Sequence, residues 1–136
     1  MPEYTPDYEL VQTVGKWLFD NLPAGQFYKR LPDFKAVKTD KPFVVLGNSS
    51  LQQYAPAKGA LRAKPSLTIH IFGDAKSRNE VERLKSKVFN YLMKLNSTDS
   101  YSVELDPVYT VNSVDLEQED NLQLWHGTLD VTYRVF

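Results

Sequence analysis

One stretch of the chain combines residue types that enzymes often use where a strand meets a helix. Residues 66–84 read SLTIHIFGDAKSRNEVERL, and His70 and Asp74 lie on either side of Gly73. Many α/β enzymes place an active site at such a strand–turn–helix junction. A histidine and a carboxylate could activate a nucleophile or help to hold a metal ion, so these two chemistries are tested first.

The motifs that this chemistry requires are missing from the sequence. His70 and His126 are the only histidines, and neither has a histidine two or four residues away, as a local metal motif would supply. No G-x-S-x-G surrounds a serine, and no base is identified for the GNSS at 47–50. The G-x-G-x-x-G and P-loop patterns are absent. We therefore predict no catalytic, cofactor-binding or metal-binding residues and no enzymatic activity, and a site scattered through the fold is left as an alternative.

The same stretch has a structural interpretation. Its apolar residues alternate as in a half-buried strand around His70, and Ser77 with Glu80 forms the pattern of a helix capping box. An apolar stripe at helical spacing follows, made of Val81, Leu84, Val88, Leu92 and Leu95. Every residue of the turn then has a structural role, and we interpret the stretch as scaffold.

The rest of the pattern defines the fold class. Pro6, after Thr5, predicts the start of a first helix that Pro23 and Gly25 end. Strands are predicted near Phe27–Leu31, over residues 43–54 and in the last third, where the apolar face of the final strand comprises Trp125, Gly127, Leu129, Val131, Tyr133 and Val135. We predict one domain over residues 1–136 with an α/β (α+β) fold, a mostly antiparallel sheet of about four to five strands and two main helices packed on it.

Composition excludes several classes of function. The chain has no cysteine, a formal net charge of −1 and no apolar run near the ~20 residues that span a bilayer, so neither thiolate chemistry nor a membrane partner is expected. The charge is nevertheless unevenly distributed. Residues 1–94 hold 15 Lys/Arg and 9 Asp/Glu, whereas residues 95–136 hold 1 and 8. Either the two halves neutralise each other within one fold, or they form two complementary surfaces used between subunits.

The order of the elements carries a resemblance to a known family. A helix is followed by a loop with FYKRLP, a strand KPFVVLGN, a basic arm at 55–65, a strand LTIHIF, a helix ending NYLMKL and a closing hairpin LWHGTLDVTYRVF. This order resembles the tail terminator and tail-completion (tail-to-head joining) proteins of long-tailed bacteriophages over nearly the whole chain.

The resemblance implies a structural virion protein without catalysis. Such proteins form a ring, usually a hexamer, that caps the tail tube and joins the tail to the head, so the implied partners are further copies of the chain, the tail tube protein and a head-completion or connector protein. DNA only passes through the lumen. The implied location is the head–tail interface of the virion, after assembly in the host cytoplasm. Alternatives are another small head–tail adaptor or head-completion protein, or a small nucleic-acid- or ligand-binding module that would use the basic arm.

A ring needs two unlike, complementary patches on each subunit, because only a head-to-tail contact closes it. The charge distribution offers such patches. We predict that a basic set in the arm faces an acidic set of the neighbouring subunit; the two sets are Lys58, Arg62 and Lys64, and Asp115, Glu117, Glu119 and Asp120.

Overall fold

The structure is a computed structural model that describes residues 2–53, 63–119 and 121–136, with the side chains of Gln53 and Glu119 excepted. In the described residues two helices and six strands form an α+β fold. The class and the two helices confirm the prediction, and the sheet has one strand more than the four to five expected. In chain order the elements are α1 Pro6–Asn21, β1 Phe27–Tyr28, β2 Phe43–Gln53, β3 Ala63–Asp74, α2 Arg78–Lys94, β4 Val103–Leu105, a 3₁₀ turn Pro107–Tyr109, β5 Val111–Glu119 and β6 Leu122–Val135.

The strands form one sheet in the order β1-β2-β3-β6, and both β4 and β5 lie along the far edge of β6. β5 pairs with residues 122–130 of β6, and β4 pairs with residues 133–135. Among the described residues every pairing is antiparallel except that of β1 with β2, which confirms the mostly antiparallel sheet. No helix in the described ranges is long and apolar enough to cross a membrane.

Both helices cover one face of the sheet and form the main core. The predicted apolar face of β6 points into it, and Val81, Val88 and Leu92 of the α2 stripe are buried there. The hydroxyl of Tyr133 donates a hydrogen bond to the carbonyl oxygen of Leu92 at 2.6 Å, which joins β6 to α2. Tyr133 is fully buried, and this bond satisfies a polar group that burial would otherwise penalise.

A second apolar cluster covers one end of the opposite face. It consists of Phe34, Phe43, Val45, Phe72 and Leu124. The chain between β1 and β2 supplies Phe34, whose ring lies 5.1 Å from that of Phe72 in an edge-to-face arrangement. Phe72 was predicted on the exposed side of its strand together with His70, but the packing of residues 29–42 over the sheet buries it.

The predicted capping box of α2 is wrong. Ser77 is the N-cap residue, but its φ and ψ of −105° and 23° are not extended, and its side chain makes no capping hydrogen bond. The hydroxyl instead donates to Asp74 Oδ1 at 2.7 Å and lies 3.3 Å from the carbonyl oxygen of Asp40. A local bond to Asp74, three residues earlier, and a longer tertiary contact with Asp40 have therefore replaced the capping bond that the sequence indicates.

Candidate functional site

The two histidines, 56 residues apart in the chain, meet on the sheet face opposite the helices. His70 on β3 and His126 on β6 place Nδ1 and Nε2 2.7 Å apart. His126 Nδ1 lies 2.8 Å from Oε2 of Glu117 on β5. A continuous chain of hydrogen bonds thus crosses three strands. No local sequence motif indicates this contact, because strand pairing rather than sequence spacing brings His70, His126 and Glu117 together.

The donors and acceptors in this series of hydrogen bonds follow from the carboxylate at its end. Glu117 can only accept when ionised, so Nδ1 of His126 donates to it. When both imidazoles are neutral, Nε2 of His126 then accepts from Nδ1 of His70. Burial lowers the pKa of His70, and the nearby His126 lowers it further, while Glu117 and Asp130 act in the opposite direction. The neutral form of His70 is therefore favoured in the folded protein.

This arrangement is poorly suited to nucleophilic catalysis. The nearest hydroxyl, Oγ1 of Thr128, lies 3.4 Å from Nε2 of His126, but that nitrogen already accepts the shorter bond from His70. A base whose lone pair is occupied cannot activate a nucleophile. The described ranges contain no group of three or more His, Cys, Asp or Glu residues that could hold a metal ion.

The histidines form part of the floor of an open groove with a volume of about 500 Å³. Lys29 and Arg30, which follow β1, line one side, and Glu117 lines the other. Gly47 belongs to the lining and permits close packing: a Cβ there would lie 2.9 Å from the imidazole of His70. The basic residues at the β2 side of this groove were not identified from the sequence.

The turn that follows β3 serves structure. Asp74 Oδ1 accepts hydrogen bonds from the backbone N–H of Lys76 and from the hydroxyl of Ser77. Gly73 permits a close approach of α2, since a Cβ at this position would lie 2.5 Å from Cγ2 of Val81. These contacts account for the glycine, the acid and the serine of the 66–84 stretch.

The predicted basic set is only partly described. Lys58 and Arg62 lie outside the described residues. Lys64 on β3 contacts its own chain: its Nζ lies 3.1 Å from Oδ2 of Asp106 and 4.3 Å from the centre of the Tyr109 ring. Burial raises the pKa of the Asp106 carboxyl, but the hydrogen bonds from Lys64 and from the backbone N–H of Val108, with the charges of Lys64 and Arg134, together outweigh this and leave that pKa below its usual range.

The predicted acidic set lies at the other end of the sheet. Asp115 is exposed on β5, Glu117 binds His126, the backbone of Glu119 ends β5, and Asp120 lies outside the described residues. The β5–β6 turn adjoins the end of β3 that carries Asp74, whereas Lys64 lies at the opposite end of β3. Within one subunit the described members of the two sets are therefore kept apart.

Comparison with known proteins gives a similarity of fold. No protein-family model matches the chain, and no curated protein matches it. Among solved structures, a chain of the "Virion of native gene transfer agent (GTA) particle" is similar, with a TM-score of 0.70 at 15% sequence identity. The alignment covers 98% of this chain and 98% of that one. The shared fold thus extends over the full length of both chains.

Proposed function

We propose that this protein is a structural virion protein and, more specifically, a tail terminator. In this proposal copies of the chain, six by the family resemblance, form a ring on the head-proximal end of the tail tube and join it to a head-completion or connector protein. The observation that carries the proposal is the full-length similarity in fold to a chain of a gene transfer agent virion. The resemblance in element order points to the same class.

The surface supports a role in assembly. Ten large apolar side chains are substantially exposed in the described residues and are available for contacts with other subunits. They are Tyr4, Tyr8, Phe19, Leu31, Met93, Val108, Tyr109, Val111, Leu116 and Phe136. Burial of such groups against other subunits would supply most of the association free energy, since exposed ion pairs contribute only about 0–1 kcal/mol each.

Charge would then guide the orientation of the subunits. The contact of the basic set with the acidic set of a neighbour stays a prediction. The described residues of the basic set and of the acidic set lie far enough apart in one subunit to belong to two different patches. A head-to-tail contact requires two such patches. The bond between Lys64 and Asp106 within the subunit means that Lys58 and Arg62 would make most of this contact.

The test is assembly of the purified protein alone and with the tail tube protein encoded in the same genome. Negative-stain electron microscopy should show rings, and rings should cap one end of each tube and stop its growth. Tubes grown without the protein should exceed the normal length. Tubes of unchanged length that carry no cap would contradict the proposed function.

A further inference from the structure

Two long strands of the sheet, β2 and β5, have an edge that is largely or wholly unpaired in the described part of the chain. β1 covers only Val44 and Val45 of β2, so the edge of β2 is uncovered from Leu46 to Gln52. At the other side of the sheet, β5 pairs with β6 and with no second described strand. Uncovered edges expose backbone N–H and C=O groups in a row and can pair with another chain.

We propose that β5 of one subunit pairs with residues 46–52 of β2 in the next, so that the sheet continues from subunit to subunit. The inference rests on the proposed ring and names its interface. The directions of the strands agree with it: β2, β3, β6 and β5 alternate, and a neighbouring β2 beside β5 continues the alternation. The new pair is then antiparallel, with nine residues in β5 and seven in β2, and the β2 edge contains a bulge between Leu46 and Ser49 that the pairing has to accommodate.

On the helix face of the proposed interface, an apolar side chain of β5 meets apolar side chains beside β2. Leu116 of β5 points to this face, since it pairs with Trp125, and its side chain is 48% exposed. Next to the uncovered edge of β2, a hollow of about 490 Å³ lies between α1 and Leu46. Phe19 lines this hollow and is 72% exposed. Pairing of the two edges would bury Leu116 beside Phe19 and Leu46.

On the histidine face of the proposed interface, acidic residues of β5 meet the basic residues that follow β1 of the next subunit. Asp115 and Glu117 of β5 point to the face that carries the histidines. Lys29 and Arg30 are exposed and line the groove on this face, and Lys29 also lines the hollow on the helix face. Neither forms an ion pair with any described residue. In the continued sheet the acidic end of one groove adjoins the basic end of the next, which favours this register over others.

The inference differs from the contact predicted between the arm and the acidic turn. Antiparallel pairing of β5 with β2 places the acidic turn of one subunit near Lys29 and Arg30 of the next. It places the end of β2 at Gln53 of that neighbour near the other end of β5, at Val111. The two arrangements therefore require different residues to cross-link.

Disulfide cross-linking tests the pairing directly, because the chain contains no cysteine of its own. Ser113 of β5 and Ser50 of β2 both point to the histidine face, as their strand partners show. Residues opposite each other in an antiparallel pair are close enough for a disulfide. Two double variants are made, and both contain Ser113→Cys. One adds Ser50→Cys and the other adds Gln52→Cys, so that two pairing registers, which differ by two residues and keep both cysteines on the same face, are tested. Oxidation of assembled rings should give a ladder of covalent oligomers on a non-reducing gel.

The matched control is Ser113→Cys with Ser49→Cys. Ser49 pairs with the buried Leu67 and so points to the helix face, out of reach of residue 113. A ladder in the Ser50 or Gln52 variant but not in this control supports the inference. Rings that cap tubes normally but give no ladder with either partner would overturn the pairing and leave the proposed function intact. Absence of both rings and tube capping in the wild type would overturn the proposed function, and the inference with it.

A second variant tests the contribution of the apolar face. Leu116→Lys should weaken ring formation by about tenfold or more, because a half-exposed leucine loses its burial and a charge replaces it. Ser86→Lys adds the same charge at an exposed position of α2, away from both edges, and should leave assembly within about twofold. Equal assembly of the two variants, measured by sedimentation, would contradict the proposed burial of Leu116.

Discussion

Replacement of His70 by alanine tests whether the histidine chain is structural or functional. The change removes the 2.7 Å hydrogen bond to His126, which contributes about 1 kcal/mol. It also removes a partly buried ring that lies beside Phe72. The apolar area that this ring buries contributes about 1 kcal/mol more to the free energy of unfolding. We therefore expect His70→Ala to lower the free energy of unfolding by about 2 kcal/mol at pH 8 and to leave assembly unchanged.

The pH dependence gives an independent check. The pKa of His70 is lowered in the folded protein, so the unfolded chain binds the proton first as the pH falls below about 6.5. The stability that the neutral ring contributes is complete above that pH and is lost as the pH falls toward the lowered pKa. The difference in unfolding free energy between wild type and His70→Ala should therefore shrink between pH 8 and pH 5.5.

Urea denaturation at both pH values, with ring formation scored by electron microscopy at pH 8, measures these quantities. His70→Gln is the control, since its amide can still donate to His126. A His70→Ala protein that unfolds like the wild type but no longer assembles would refute the structural interpretation. A difference in stability that grows as the pH falls would refute the assignment of the protonation state.

Two further changes test the core. Val88→Asp should prevent folding, because it places an unpaired charge on the fully buried face of α2; circular dichroism would show the loss of helix, and a native spectrum would contradict the assignment of that stripe. Tyr133→Phe should lower the free energy of unfolding by about 1–2 kcal/mol, since the carbonyl oxygen of Leu92 loses its donor. Thermal unfolding measures this loss, and an unchanged melting temperature would show that the bond contributes nothing net.

Regular periodicity allowed the main elements to be predicted from sequence. The stripe from Val81 to Leu95 and the alternation along β6 correspond to buried faces in the structure, and Pro6 begins α1 as expected. These signals are local, because a helix or strand shows its buried face in its own residue spacing. The class of fold and the mostly antiparallel sheet follow from them.

Features that depend on long-range pairing could not be predicted. The contact of His70 with His126 and Glu117 requires the register of three strands. Phe34 lies in a polar segment with no periodicity, and only the packing of that segment over Phe72 explains its burial. The capping box failed for a different reason: the hydroxyl of Ser77 donates to Asp74, a second local partner that the pattern did not weigh.

The place of β6 in the chain has a consequence for the order of folding. β6 pairs with β3, β4 and β5 and contributes the centre of the main core, yet it follows every other described element in sequence. Pairing β3 with β6 joins residues about 50 to 66 positions apart, and contacts of such separation form slowly. During synthesis, β2 and β3 emerge as a hairpin whose inner edge waits for its partner strand. In that interval the edge of β3 can pair with another nascent chain, so overproduction at high temperature should favour aggregation over soluble protein.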